Sequence, residues 1–166
     1  DEVKGVKVRT LTRATAIDRA NKTVRITNLR TGESGELEYD KLVLGMGATP
    51  RKLGLPGEDL EGVSYVATPA DAMRIREAVS KGQVSKAVII GAGFIGLEMA
   101  EAFADMWGVE TTVVEITGQL MPRLVSPRLA AMGRKHMEDN GVTFHFGETV
   151  TAIEGDHHNV VGLSLP

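Results

Sequence analysis

The chain has 166 residues, 42% hydrophobic and 25% charged, which is enough material for a packed core without covalent staples. A formal net charge of -3 lacks the basic surplus expected of a nucleic-acid or anionic-membrane binder, so neither partner is expected. With no cysteine, the sequence holds no disulfide framework, thiolate metal site or thiol redox centre, and it suits a reducing, cytoplasmic setting.

The opening fifty residues read as β structure. Apolar and polar residues alternate over 3–10 and 24–27, with a short third candidate at 36–39. Asp18-Arg19-Ala20-Asn21 and Thr31-Gly32 mark the turns, so an antiparallel meander is expected. An apolar strand at 41–44 then runs into the turn Gly45-Met46-Gly47-Ala48-Thr49-Pro50. Residues 50–62 hold two prolines and three glycines and read as part of a linker over 51–67.

Thr68-Pro69-Ala70-Asp71 signals a helix start, with Thr68 as cap, Pro69 at the first helical position and Asp71 at the positive end of the dipole. Ala72, Ile75 and Val79 share a face, and Gly82 ends the helix. A continuous apolar strand follows at 86–90, of the kind buried in parallel sheets. The next helix opens near Ile95, with Ile95, Met99, Ala102, Phe103 and Met106 on one face and Gly108 as its stop. A second strand at 110–114 runs into Glu115. Ser126-Pro127 caps a third helix, lined by Leu129, Met132, His136 and Met137 and ended by Asn140-Gly141. Strands are expected at 142–146, 149–154 and 160–165, the last two joined by a polar turn. The alternation points to an α/β fold. It predicts a small, doubly wound, Rossmann-like domain at 68–166, a parallel sheet with late antiparallel strands, preceded by a β-meander portion at 1–50. The longest apolar run, 87–97, is too short to cross a bilayer and is broken by three glycines. No signal peptide is expected at the start. The chain opens on Asp1 and closes on Pro166 after a strand-like run, and it reads as an internal piece of a larger protein.

The motif with chemical content is Gly91-Ala92-Gly93-Phe94-Ile95-Gly96. A GxGxxG pattern alone is weak evidence. Here a buried strand precedes it, a helix follows at once, a second strand comes one helix later, and the acidic Glu115 stands at that strand's end. Each residue type has a reason. Gly91 permits the tight strand-to-helix turn, Gly93 lets a diphosphate approach the backbone, and Gly96 lets the helix pack closely on the strand. The N–H groups near Phe94 and Ile95 lie at a helix N-terminus, where the dipole favours phosphate. Glu115 can accept hydrogen bonds from both hydroxyls of an adenosine ribose and would repel a 2′-phosphate. The stretch Glu115-Ile116-Thr117-Gly118-Gln119 offers no arginine to attract one, so NAD(H) is expected in preference to NADP(H).

Together, Leu42-Val43-Leu44-Gly45-Met46-Gly47-Ala48-Thr49-Pro50 and Gly91-Ala92-Gly93-Phe94-Ile95-Gly96-Leu97-Glu98-Met99-Ala100-Glu101 resemble the pyridine nucleotide-disulfide oxidoreductases. The closest likeness is to the coenzyme A-disulfide reductase, NADH oxidase and NADH peroxidase subgroup, and Leu120-Met121-Pro122-Arg123 fits the same pattern. The resemblance implies that residues 1–50 belong to an FAD-binding domain and 68–166 to the NAD(H)-binding domain. It implies that Phe94 guards the nicotinamide pocket, that Glu98 contacts the carboxamide, and that Met46 and Gly47 offer backbone contacts to FAD. Gly45-Met46 replaces the family's usual Ala-Thr. The parent enzyme would pass a hydride from NADH to FAD, and then electrons to a small-molecule disulfide, a peroxide or oxygen. It would be a homodimer through a C-terminal domain absent from this sequence. The family's redox cysteine is also absent, so no catalytic residue is assigned and the piece alone is expected to be inactive. Two other readings stay open: an NADH:ferredoxin or NADH:rubredoxin reductase without a redox cysteine, and a non-catalytic NAD-sensing module.

The remaining candidates have plainer readings. His157-His158 lies in a polar turn without metal-ligand spacing, so no metal is expected. His136 is expected at the edge of the core, and Arg123, Arg128, Arg134 and Lys135 on a solvated face.

Overall fold

The computed structural model describes residues 2–3, 5–155 and 160–164, those at 2–3 and 160–164 by backbone alone. His157 and His158 lie outside the described residues. The chain divides into two units, residues 1–47 and 48–166.

In the first unit, β1 (Glu2–Val3) and β2 (Val6–Lys7) pair antiparallel around Gly5, which sits at φ +76°. The meander proper is β3 (Thr12–Asp18), β4 (Thr23–Asn28) and β5 (Ser34–Glu38), paired antiparallel in that order. Its turns are built by side chains that mimic backbone acceptors. Asp18 Oδ1 accepts from the N–H groups of Ala20 and Asn21 at 2.9 and 3.0 Å. Asn28 Oδ1 accepts likewise from Arg30 and Thr31 at 2.8 and 3.1 Å.

Two expectations need correction here. The first meander strand is 12–18, not 3–10. Gly5 interrupts the earlier run in the left-handed region, whereas Thr12–Asp18 abuts the Asp18 turn and closes a local hairpin. The apolar stretch 41–44 forms no strand among the described residues, and Val43 is 89% exposed. A strand of this buried type needs hydrogen-bonded neighbours, and no described strand pairs with it.

The second unit begins with turns. The Glu58 carboxylate accepts from the N–H groups of Leu53 and Gly54, both at 2.8 Å, and from the Tyr65 hydroxyl. Helix α1 (Pro69–Ser80) starts on a reciprocal cap: Asp71 N–H donates to Thr68 Oγ1, and the Asp71 carboxylate accepts from Thr68 N–H at 2.9 Å. Then come β6 (Lys86–Ile90), α2 (Phe94–Glu101), a π-helical turn (Ala102–Met106), β7 (Glu110–Glu115), α3 (Pro127–Asp139) and β8 (Val142–Phe146). The three strands pair parallel in the order β6-β7-β8. Strands β9 (Ala152–Gly155) and β10 (Val160–Ser164) form a separate antiparallel pair. Ile153 N–H of β9 donates to Pro56 C=O at 2.8 Å, so residues near 56 are held against it.

Because the sheet grows stepwise from β6 to β8, right-handed crossovers place α2 and α3 on the same face. Ile89, Val113 and Phe144 form one row across that face, in register. They pack with Ala92, Leu97, Ala100 and Ala104 from the α2 side and with Leu120, Ala130 and Met137 from the α3 side. The expectation that 86–90 is buried on both faces therefore fails: Val88 and Ile90, on the other face, are 50% and 40% exposed.

The helix faces meet the sequence expectation at Phe103 and Met137 and are rotated from it elsewhere. Gly96, Ala100 and Phe103 face inward on α2 and the π turn, while Ile95 and Met106 are exposed. The reason lies at Gly96, where an added Cβ would stand 2.0 Å from Gly91 C=O; this close approach fixes the helix rotation. On α3 the inward residues are Ala130, Gly133 and Met137, and Leu129, Met132 and His136 are exposed. The small pair Ala130 and Gly133 admits Leu120, whose Cδ1 would lie 3.5 Å from a Cβ at Gly133. His136 is thus a surface residue and not a core-edge one.

Candidate functional site

The glycine turn sits where β6 hands over to α2. Gly91 adopts φ +106°, and its N–H donates to Val114 C=O at 2.8 Å, which ties the turn to the neighbouring strand. Gly93 is the N-cap of α2 and supplies no side-chain cap, so the first N–H groups of the helix face outward without an intrahelical acceptor. A Cβ at Gly93 would meet nothing within 4 Å. The backbone at this point is open to close approach by a ligand. Phe94 and Ile95 form the exposed first turn, and Glu98 is exposed one turn further on.

Glu115 ends β7 on the sheet face that carries the helices, in register with Phe146. Its side chain is buried, at 6% exposure. Oε2 accepts from Ala92 N–H and Oε1 from Thr117 N–H, each at 2.8 Å. Burial pushes its carboxyl pKa up. The donors at Ala92 and Thr117 outweigh burial and hold it below the ordinary glutamate range. The group is therefore an ionised acceptor at neutral pH, placed beside the uncapped helix end. The structure thus brings Gly91, Gly93, Phe94, Ile95, Gly96 and Glu115 together around one turn.

Between α2 and α3 runs a groove of about 340 Å³. Phe94, Leu97, Glu98 and Glu101 form one wall, Gly133, His136 and Met137 the other, and Leu120 and Met121 also line it. Met46 and Gly47 belong to the first unit, where Met46 is 82% exposed and Gly47 sits at φ +72°. Among the described residues no three His, Asp or Glu side chains group as a metal site, and no helix is long and apolar enough to cross a membrane.

The loop between β7 and α3, whose Leu120-Met121-Pro122-Arg123 fits the family pattern by sequence, carries contacts that the sequence does not specify. Met121 N–H donates to Ala92 C=O at 2.9 Å, and Gln119 Nε2 donates to Val125 C=O at 3.2 Å. Met121 and Arg123 both adopt positive φ, +42° and +68°, without being glycine. Nothing in the side-chain types announces this; the only local signal is Pro122 between them.

Comparison with known proteins agrees with this architecture. The pyridine nucleotide-disulphide oxidoreductase family matches residues 2–165. An NADH oxidase of Methanocaldococcus jannaschii is 34% identical over 146 residues, covering 87% of this chain and 32% of the relative. A rubredoxin-NAD(+) reductase of Pseudomonas putida is 34% identical over 136 residues, covering 82% and 34%. The crystal structure of an FAD-dependent pyridine nucleotide-disulphide oxidoreductase from Desulfovibrio vulgaris superposes with a TM-score of 0.70 at 50% identity, over 93% of this chain and 39% of that one. The chain spans about a third of the length of the curated relatives it matches.

The fold is therefore the Rossmann-like α/β class expected, a parallel sheet with added antiparallel strands. The chain belongs to the pyridine nucleotide-disulphide oxidoreductase family.

Proposed function

We propose that this chain is the NADH-binding part of an FAD-dependent oxidoreductase, with residues 48–166 holding the dinucleotide and residues 1–47 belonging to the flavin-binding part. The observation that carries the reading is the pairing of an uncapped helix N-terminus at Gly93 with the buried, ionised Glu115. The first is built for a diphosphate and the second for ribose hydroxyls. The donor set fits a nicotinamide dinucleotide: outward N–H groups, no side chain at Gly93, and one carboxylate. When bound, that cofactor supplies hydride.

In this reading the N–H groups at Phe94 and Ile95 hold the pyrophosphate, and Glu115 accepts from the adenosine ribose. Phe94 covers the nicotinamide pocket, and Glu98 receives the carboxamide N–H. Glu115 disfavours a 2′-phosphate by charge repulsion, so NADH is preferred to NADPH. Met46 and Gly47 offer backbone groups to FAD in the larger protein, through a turn that Gly47 makes at positive φ. The larger protein is read as a cytoplasmic homodimer that passes electrons to a disulfide, a peroxide or oxygen. A second reading, transfer to a rubredoxin- or ferredoxin-type protein, draws on the 34% identity to the Pseudomonas putida reductase. Calorimetric titration with NADH and NADPH tests the proposal. Saturable uptake of NADH, tighter than that of NADPH, is expected; equal or tighter NADPH binding would overturn the Glu115 assignment.

A further inference from the structure

Ala92 lies between Gly91 and Gly93, the two most permissive residues a backbone can have as neighbours. Local conformational preference therefore does not fix the direction of its peptide groups. Yet Ala92 is fully buried, and the helix whose N–H groups open the site begins two residues later, at Phe94. Something outside the turn has to set its orientation. Two contacts do so: Ala92 N–H donates to Glu115 Oε2 at 2.8 Å, and Ala92 C=O accepts from Met121 N–H at 2.9 Å.

We infer that Glu115 and the loop carrying Met121 clamp the two peptide groups that flank Ala92, and that Glu115 is a positioning residue for the glycine turn before any dinucleotide arrives. This deepens the reading above, in which the same carboxylate receives the ribose, but it makes a separate claim. The clamp needs a carboxylate specifically. Two backbone donors, at Ala92 and Thr117, converge on its two oxygens. A protonated acid or a glutamine has only one pure acceptor atom, and its own O–H or NH2 would face an N–H donor. Each oxygen also accepts one backbone bond and keeps lone-pair capacity, so a ribose hydroxyl adds to the clamp without displacing it. The loop that reaches Ala92 places Met121 at φ +42°, where a side-chain-bearing residue is strained; Gln119, bonded to Val125 C=O, helps hold the loop in that shape. The consequence for specificity is direct. Removing the carboxylate to welcome a 2′-phosphate also loosens the diphosphate cradle, so both cofactors lose affinity.

The test needs no ligand, which separates its failure from failure of NADH binding. Amide hydrogen exchange is followed by NMR in the full chain and in Glu115→Gln, an isosteric change. The glutamine keeps one acceptor oxygen, so exchange is expected to speed by about 10- to 100-fold at Ala92 or Thr117, whichever faces the NH2, while the amides of β7 change little. Uniform acceleration that includes β7 would show Glu115 to be a general core residue and would overturn the clamp. Unchanged exchange at both Ala92 and Thr117 would overturn it as well.

Discussion

The Glu115 carboxylate and the Ala92 N–H, 23 residues apart in sequence, meet at 2.8 Å inside the second unit. This bond joins the end of one parallel strand to the turn that leaves its neighbour. It fixes an acceptor and a set of helix N–H donors in one frame, which is the geometry a dinucleotide requires.

Glu115→Ala removes both the proposed ribose acceptor and the clamp. NADH affinity is expected to fall about 10- to 100-fold, from the loss of hydrogen bonds to a charged group. NADPH affinity is expected to fall less, because the same change removes repulsion of the 2′-phosphate. Calorimetry with both cofactors checks this, and an unchanged ratio of affinities would count against the assignment.

Gly93 and Gly96 should separate binding from folding. At Gly96 an added Cβ would stand 2.0 Å from Gly91 C=O, backbone that yields only if the helix shifts. Gly96→Ala is expected to cost about 1–3 kcal/mol or more in urea unfolding, as overpacking does. At Gly93 the backbone is extended, φ -83°, and a Cβ meets nothing within 4 Å. Gly93→Ala should leave stability within about 0.5 kcal/mol yet weaken NADH binding, because the methyl occupies the diphosphate's approach. Equal binding by Gly93→Ala and the parent chain would argue that no phosphate sits there.

The pH dependence follows from the lowered pKa of Glu115. A depressed folded-state pKa means the unfolded chain binds the proton more readily. The carboxylate's contribution to stability is therefore complete above the ordinary value of 4.5 and is lost as pH falls through the folded value. Unfolding midpoints measured from neutral to acid pH should decline on that limb. Glu115→Gln should flatten the decline, although the half-buried Asp71 and the exposed Asp18, also lowered by hydrogen bonds from Thr68 and Asn21, keep part of it. An identical acid limb in the variant would show that the Ala92 and Thr117 bonds contribute nothing.

How much of this was readable in advance depended on the range of the interaction involved. The caps at Thr68 and Ser126 and the glycine turn were legible because they rest on residues a few positions apart. The parallel pairing of β6, β7 and β8 followed from apolar runs separated by single helices. The strand at Thr12–Asp18 was missed because its pattern of threonine and alanine carries little hydrophobic signal, and pairing with β4 decides it. The rotation of α2 was set by a backbone approach between Gly96 and Gly91, which helical periodicity does not encode. The role of Met121 was invisible for the same reason, since its contribution is an N–H and a positive φ, not a side chain.

Gly57 offers a check on the packing within the second unit. It sits at φ +81°, and an added Cβ would lie 1.9 Å from Ile153 C=O, next to the Pro56 bond to β9. Gly57→Ala is expected to destabilise by about 1–3 kcal/mol, combining overpacking with an unfavourable φ, and chemical unfolding measures it. A loss below about 0.5 kcal/mol would show that the turn at 54–58 does not bear on β9.

The most direct test of the central claim is NMR titration of the chain with NADH, with amide shifts followed residue by residue. Saturable changes should concentrate at Gly91 to Gly96 and at the residues following Glu115, with NADPH producing weaker effects at the same positions. Saturable binding whose shifts spare the glycine turn, or no binding of either cofactor, would contradict the assignment of this turn as the NADH site.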